Sequence, residues 1–296
     1  MRAIPPALQA RLDSGATRLC RCWRVRRRDG VALGFTDHDR DLVFDGTTFR
    51  ASTGMDATAV QASTGLAVDN AAVMGALSDA GVTEAAVRAG RYDGARVEHW
   101  LADWSEPALR VLMFVGEFGE IKRADGAFEA ELRGLTEALN APVGRVLHPR
   151  CDRRLGDARC GVDVAAPAFS VEAVVGAAAS AGAFAVMGAG GHADGWFAGG
   201  LIEWIAGANA GLTGAIRSDR RAGDGTRRLE LWREAGAPVL PGDRARLVAG
   251  CDKTAETCRS KFGNFLNFRG FPHIPGDDWV TAYPRSGEVH DGSRRR

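Results

Sequence analysis

The chain has almost no net charge and no long hydrophobic run, and these absences exclude several classes of protein. Its 296 residues carry 38 Lys and Arg against 37 Asp and Glu, a formal net charge of +1. Such a balance gives no general attraction to nucleic acid or anionic lipid. No run reaches the roughly 18 strongly apolar residues of a membrane helix, and the N-terminus lacks the apolar segment of a signal peptide. We therefore expect a protein made in the cytoplasm, with no membrane span.

Signatures of common enzymes are also missing. The sequence contains no HExxH, GxSxG or P-loop motif, and a loose GxGxxA pattern at 188–193 runs into turn-like ADGWFAGG, where a dinucleotide-binding fold needs a helix. The acidic stretch FTDHDRDLVFDG, residues 35–46, offers groups for acid–base chemistry or cation binding. Aspartates equally suit an exposed hairpin connection, which we favour. The chain is therefore not expected to be an enzyme.

Short strands joined by glycine-containing turns predict a mainly β protein. Asp29-Gly30 and Asp45-Gly46 suit tight hairpin turns, and Thr83 can cap one short helix that ends at Gly90. We predict two β-rich domains, barrel-like or sandwich-like, with a few short helices: an N-terminal domain over 1–148, a C-terminal domain over 149–283, and a polar tail over 284–296. The predicted strands are 19–28, 31–36, 41–44, 47–51, 96–104, 108–115, 117–123, 127–133, 200–205, 211–218, 227–232 and 245–248, while 169–188 is ambiguous.

Two widely separated pairs of cysteines carry the most specific chemical signal. Cys151 and Cys160 have eight residues between them, Cys251 and Cys258 have six, and 90 residues separate the two pairs. Thiols of a protein made in the cytoplasm stay reduced, so metal ligation or inert burial is expected rather than disulfides. Four thiols gathered from two distant loops suggest one four-sulfur metal site in the second half.

The spacing of these cysteines leaves the metal open. Zinc sites usually use pairs two to four residues apart, whereas a four-iron cluster is wider and accepts broader loops. Unrelated buried thiols are a third reading. Closing so long a loop costs roughly 4 kcal/mol, and a structural metal contributes about 10–16 kcal/mol, so either metal site is energetically feasible.

Four other features have simpler interpretations. Cys20 and Cys22 alternate with Trp23 along a predicted strand and are expected to be small buried hydrophobes. The aromatic segment 261–276 is expected to pack over the metal site, although stacking on RNA is conceivable. His273 lies nearest the second cysteine pair among the scattered histidines and is a candidate partner for its ligands. The run 24–28, rich in arginine, is expected to be a solvated strand edge.

Long segments of the chain resemble a known family of tail proteins. They are LCRCWRVRRRDGVALGFTDHDRDLVFDG near the start, and FAGGLIEWIAGANAG and GCDKTAETCRSKFGNFLNFRGFPHIPG in the second half. From about residue 17 to 276 the sequence resembles hub proteins of the gene transfer agents of alphaproteobacteria, which are phage-like particles, and related prophage tail proteins. The second half is also similar in its cysteine plan to tail-tip protein L of phage lambda.

The resemblance implies a structural protein of the tail. It implies a homotrimeric hub of the baseplate, between the distal tail ring and the central fibre or megatron protein, with a channel through which DNA can pass. The protein would be assembled in the bacterial cytoplasm and then reside in the particle. The resemblance also implies a 4Fe-4S cluster held by Cys151, Cys160, Cys251 and Cys258. A zinc-stapled interaction module and an iron–sulfur redox enzyme are the competing hypotheses.

Overall fold

The structure is a computed structural model that describes residues 4–51, 55–57, 70–76, 82–124, 127–134, 137, 139 and 143–274. Fifteen strands and three α-helices lie in these ranges, so the protein is mainly β as predicted. No helix within them is long and apolar enough to cross a membrane. The helices are α1 (Pro6–Asp13), α2 (Glu84–Arg88) and α3 (Ala255–Ser260), and the strands are β1 (Leu19–Arg26), β2 (Ala32–Thr36), β3 (Leu42–Phe44), β4 (Thr47–Arg50), β5 (Met55–Ala57), β6 (Asn70–Ala76), β7 (Arg96–Asp103), β8 (Arg110–Ala124), β9 (Ala127–Gly134), β10 (Ser170–Ala178), β11 (Ala183–Met187), β12 (Leu201–Trp204), β13 (Thr213–Arg221), β14 (Arg227–Leu231) and β15 (Arg244–Val248).

The first nine strands form one sheet in the order β3-β4-β2-β1-β7-β8-β9-β6-β5. Both predicted hairpin turns are present: Gly30 has a φ of +88°, and Asp45 and Gly46 have φ of +48° and +67°. The described strands of this half thus form a single nine-stranded sheet, which corrects the barrel-like or sandwich-like prediction for it. Pairing of β4 with β2 is parallel and lies outside the simple hairpin pattern that the sequence indicated.

The centre of this sheet is not a solvated edge. β1 pairs with β2 on one side and with β7 on the other. Arg24 is buried there, forms an ion pair with Glu98, and lies with its guanidinium 4.7 Å from the ring centre of Trp100. The expectation of a solvated arginine run is therefore wrong for Arg24, because an ion pair and an aromatic face make its burial tolerable.

Apolar side chains pack on both faces of the sheet. On one face α2 and Val82 cover a core that includes Trp23, whose ring stacks on that of His99 with 3.8 Å between centroids. On the other face Cys20 and Cys22 pack with aromatic residues of β3, β4 and β7. Both cysteines are buried, as predicted for small hydrophobic residues on a strand.

The last six strands form a closed barrel in the order β10-β11-β14-β13-β12-β15. The alternation of buried and exposed residues along β14 and β15 sends every second side chain into the barrel. The interior is filled by aliphatic and aromatic residues, among them Phe184, Ile202, Ile216 and Leu247. The barrel prediction is therefore confirmed for the second half. The segment 169–188, whose sequence is ambiguous, forms the hairpin of β10 and β11.

A buried ion pair closes one part of the barrel. The side chains of Arg227 and Asp219 are both 0% exposed, with 2.6 Å between Nη1 and Oδ2. Arg227 also donates to the carbonyl oxygens of Ala189, His192 and Ala193, and Asp219 accepts the amide of Phe197 at 2.9 Å. The pair therefore ties the loop 188–197 to β13 and β14, since both charged groups also form hydrogen bonds with the loop backbone.

Close backbone packing joins the sheet to the barrel. A Cβ on Gly236 would lie 2.4 Å from Cα of Ala89, so only glycine fits between this barrel loop and the end of α2. Arg91 donates to the carbonyl oxygens of Ala208 and Ala210. Asn209, fully buried, exchanges two hydrogen bonds with the backbone of Ala237, at 2.9 Å each. The barrel loops around Asn209 and Gly236 are thus hydrogen-bonded to each other, and both contact the segment that follows α2.

Most differences from the predicted elements have a local cause. The predicted strands 108–115 and 117–123 are one strand, β8, because Gly116 does not turn the chain: its missing Cβ lets the carbonyl of Arg133 approach. Strands β5 and β6 and helices α1 and α3 were not predicted from the sequence. The predicted tail at 284–296 lies outside the described residues.

We expect Arg227→Met to destabilise the barrel strongly. The change leaves Asp219 as an unpaired buried charge and removes the donors to three carbonyls, and breaking such a pair costs about 3–5 kcal/mol. The free energy of unfolding from denaturant titration measures this loss. The matched change Arg244→Met removes an exposed ion pair with Glu172 and should cost at most about 1 kcal/mol. Equal losses for the two variants would contradict the role given to the buried pair.

Candidate metal centre

Four cysteines from separate segments of the chain line one small cavity. Cys151 and Cys160 lie in the loop before β10, Cys251 follows the end of β15, and Cys258 lies on α3. All four border the same cavity. The structure thus brings together the two pairs that the sequence separates by 90 residues. Their role as metal ligands stays a prediction.

An aspartate fixes the loop that carries Cys160. Oδ1 of Asp157 accepts the amides of Cys160 at 2.7 Å and Arg159 at 2.9 Å, and Oδ2 accepts that of Arg154 at 3.1 Å. These amides lower the pKa of Asp157, the amide of Cys160 most of all. Because a carboxylate forms stronger hydrogen bonds than a neutral acceptor, Asp157 holds the backbone of Cys160 in one orientation.

A second aspartate fixes the start of the helix that carries Cys258. Oδ1 of Asp252 accepts the amide and hydroxyl of Thr254, each at 2.9 Å, and Oδ2 accepts the hydroxyl of Thr257 at 2.9 Å. Burial raises the pKa of Asp252, but these bonds outweigh it and the pKa falls below its ordinary value. Thr254 in turn caps α3 by accepting the amide of Thr257. Each cysteine pair therefore has its own polar brace.

Two residues link the pairs to each other. Lys253, in the left-handed region at a φ of +68°, accepts the amide of Cys151 with its carbonyl at 2.8 Å. Asn264 donates to the carbonyl of Cys160 at 2.6 Å and lies 3.7 Å from its Sγ. The carbonyl of Asn264 accepts the thiol of Cys258 at 3.4 Å. The backbone around the cavity is thus set by contacts that cross from one pair to the other.

Burial makes two of the thiols, those of Cys251 and Cys258, reluctant to ionise without a cation. Burial raises the pKa of Cys251 above its ordinary value. It also raises the pKa of Cys258, and the charges of the other three cysteines add to that rise. Four thiolates at such close quarters repel one another and need a compensating positive charge. A metal centre supplies that charge, because metal ligation deprotonates cysteine.

The donor set around the cavity is sulfur alone. The other lining residues are apolar, basic, amide-bearing or hydroxyl-bearing, and they include Phe262, Asn264 and Asn267. Within the described ranges, no three His, Cys, Asp or Glu side chains converge as a single metal ion requires. Soft thiols of this kind are ligands for zinc and for iron–sulfur clusters alike.

The loops around the cavity are packed onto the barrel. Nζ of Lys261 donates to the carbonyl of Gly250 at 2.8 Å and to that of Trp196, and lies 4.4 Å from the ring centre of Trp196. Burial lowers the pKa of Lys261. A Cβ on Gly250 would lie 1.7 Å from the carbonyl oxygen of Ala198. The cysteine loops therefore have a fixed position relative to the barrel strands.

The aromatic segment covers the cavity, as predicted. Phe262, Asn264, Asn267 and Phe268 line it, and the amide of Asn267 donates to Oδ1 of Asn264 at 2.7 Å. His273 is exposed and does not line the cavity, so the candidate partner suggested by sequence proximity is wrong. Asn264, which lies between aromatic residues of this segment, contacts Cys160 and Cys258 directly.

The segment that connects the sheet to the cavity is exposed, but side chains near the cavity hold it in place. Residues 143–150 are exposed and lead directly to Cys151. The guanidinium of Arg145 pairs with Asp152 at 3.1 Å and lies 5.0 Å from the ring centre of Phe271. The amide of Phe271 donates to the carbonyl of His148 at 2.9 Å. The connection is thus tied to the same segment that covers the cysteines.

Two other candidate sites have structural explanations. In the acidic stretch 35–46, Asp37 accepts the amide of Arg21 and Asp41 accepts that of Ala51, which is the hairpin-supporting role predicted for it. A cavity of about 450 Å³ lies between the sheet and the barrel. Its walls include the backbone contacts of Gly236 and the side chain of Arg91 described above, so it marks the junction of the two halves.

The comparisons with known proteins identify the family. A family described as "Baseplate hub protein, N-terminal attachment domain" matches residues 5–163, and one described as "Phage conserved hypothetical protein BR0599" matches residues 195–278.

The chain belongs to the baseplate hub protein family.

Its role in that family is structural, not enzymatic. A solved structure, "Virion of native gene transfer agent (GTA) particle", contains a chain that is 49% identical with a TM-score of 0.90, over 98% of this hub protein and 99% of that chain. Among curated proteins none matches this sequence. The likeness to a hub protein stated from sequence segments is therefore confirmed along almost the whole chain.

We expect Asn264→Ala to loosen the cysteine cavity. The change removes the donor to the carbonyl of Cys160, a loss worth about 1–2 kcal/mol, and thermal unfolding should begin earlier. Asn267→Ala is the matched control, because its amide only orients Asn264, and it should cost less. Differential scanning calorimetry of both variants gives the comparison. If Asn267→Ala were destabilised more than Asn264→Ala, the role of Asn264 in linking the two cysteine pairs would be contradicted.

Proposed function

We propose that this protein is the baseplate hub of a gene transfer agent particle. The observation that carries the proposal is the likeness to a chain of such a virion, at 49% identity and a TM-score of 0.90 over 98% of the residues. Similarity over so much of both chains leaves no large unmatched region to house a different function. The proposal includes assembly in the bacterial cytoplasm before the hub enters the particle.

Within the particle, we propose that three copies form a ring between the distal tail protein and the central fibre or megatron protein. The family description of residues 5–163 as an attachment domain supports assigning the sheet to the tail side. We also propose a division into an N-terminal domain over 1–148, a C-terminal domain over 149–283 and a tail over 284–296. Close packing at Gly236 and Ala89 supports a rigid connection between sheet and barrel, which a channel for passing DNA needs.

We further propose that Cys151, Cys160, Cys251 and Cys258 hold a 4Fe-4S cluster. The four cysteines that border one cavity support it. When bound, the cluster supplies four iron–sulfur bonds between segments of the chain. Zinc, which prefers pairs two to four residues apart, is the alternative.

The proposed role of the cluster is to fasten loops. Among the residues that the structure describes, the buried members of the local apolar group are Val162, Ala249 and Phe262, with a few partly buried neighbours. Burying so little surface offsets only part of the entropy lost when three irregular segments are ordered. A cluster bonded to all three segments supplies the difference, and Lys253 and Asn264 arrange the backbone before it binds.

Metal and sulfide analysis of anaerobically purified protein tests the cluster. We expect brown protein with about four irons and four sulfides per chain, as a 4Fe-4S centre requires. Cys251→Ser should lose the colour and the iron. Cys22→Ala is the matched control, because Cys22 is buried in the sheet away from the cavity, and should keep both. About one zinc per chain would support the zinc alternative, and protein without metal would overturn the proposal.

Deletion of the gene in a strain that makes the particles tests the hub. We expect tails without a complete baseplate by electron microscopy, and no transfer of DNA, because the distal ring and the central fibre lose their common neighbour. Expression of the intact chain in trans should restore both. Normal baseplates in the deletion strain would contradict the proposed position, whatever metal the purified protein contains.

A further inference from the structure

The outer side of the β13–β14 hairpin carries an unusual group of side chains. Arg217, Arg220, Arg228 and Trp232 are all exposed on adjoining strands, and we refer to them as the arginine face. The ring of Trp232 is 69% exposed, and the guanidinium of Arg217 lies 5.5 Å from its centre. None of these residues belongs to the cysteine cavity.

Two of the arginines oppose each other across the strands. Arg220 and Arg228 are direct partners in the antiparallel register, and like charges in such positions destabilise a sheet. The same barrel places opposite charges together elsewhere. On β15, Arg244 pairs with Glu172 at 2.8 Å and Arg246 with Glu203 at 3.6 Å. The repulsion is therefore a local property of the arginine face and not a general feature of the barrel.

Neighbouring residues do not neutralise this face. The partner of Arg228 on its other side, in β11, is Ala185. Asp224 in the turn accepts from Thr226, the main reason for its lowered pKa, to which Arg228 adds only the last contribution. Within the described ranges none of the three arginines forms an ion pair, although Glu230 lies on the same strand and accepts from the hydroxyl of Ser218 at 3.0 Å.

We propose that the arginine face docks a carboxylate-rich surface of a neighbouring baseplate protein. Exposed tryptophan and arginine are the side chains that most often dominate the energy of protein interfaces. Carboxylates would relieve the repulsion between Arg220 and Arg228 by bidentate pairing. Because the chain has a net charge of only +1, it has no general attraction to nucleic acid, so protein carboxylates are favoured over DNA.

This inference rests on the proposed position in the baseplate and specifies which surface makes a contact there. An arginine that destabilises the isolated protein but binds a partner should, when replaced, raise the stability of the protein and weaken its assembly. Arg228→Thr should therefore raise the Tm of the purified full-length protein by about 1–3 °C. The same variant should be incorporated into particles at least several-fold less than the wild-type chain, measured by quantitative mass spectrometry of particles from a deletion strain.

The matched control is Arg246→Thr, which removes an exposed arginine that faces an acid. It should leave the Tm unchanged or lower it, and incorporation should match the wild type. Equal incorporation of Arg228→Thr and wild type would overturn the docking surface, and a lower Tm for Arg228→Thr would overturn the argument from repulsion. Failure of the wild-type chain itself to enter particles would instead overturn the position in the baseplate.

A photo-crosslinking amino acid in place of Trp232 identifies the occupant in assembled particles. We expect crosslinks to a peptide of another baseplate protein that is rich in Asp and Glu. Crosslinks to packaged DNA would replace the protein partner with nucleic acid and overturn the proposal. Particles without crosslinks at this position, beside a positive control at an established contact, would also overturn it.

Discussion

Cys151, Cys160, Cys251 and Cys258 border one cavity, yet the segments that carry them contain little regular structure and a small apolar core. Polar contacts give these segments their shape: two aspartates brace the separate cysteine pairs, and Asn264 connects them. Such bonds set direction, but each contributes only about 1 kcal/mol of net stability. The proposed metal centre, bonded to the four sulfurs, would hold these segments together more firmly than such bonds can alone.

The remainder of the molecule is arranged to keep that region in place. Lys261 ties the helix with Cys258 to carbonyl groups of the barrel loops, and the buried pair of Arg227 and Asp219 holds the loop that contains one of those carbonyls. At the other side, Gly236 lets the barrel meet the sheet at backbone distance. Rigidity thus extends from the sheet through the barrel to the cysteines, as the proposed hub between differently shaped neighbours requires.

The elements that could be predicted from sequence are those with strong local signals. Asp-Gly turns and alternating strands correctly predicted a mainly β protein, and Thr83 correctly predicted a short helix. The two cysteine pairs were correctly predicted to come together in the fold. What failed depends on tertiary contacts. Gly116 reads as a break but serves close strand approach, and Arg24 reads as solvated but is buried by partners distant in sequence. The contacts of Asn264 with Cys160 and Cys258 arise only after folding.

A density map of the baseplate in intact particles, recorded by electron cryo-microscopy, would show whether the four cysteines hold a 4Fe-4S cluster. We expect each hub chain to hold one compact density in contact with all four cysteine sulfurs and larger than a single ion, as such a cluster requires. A density no larger than one ion, or cysteine side chains separated by ordinary protein packing, would contradict it.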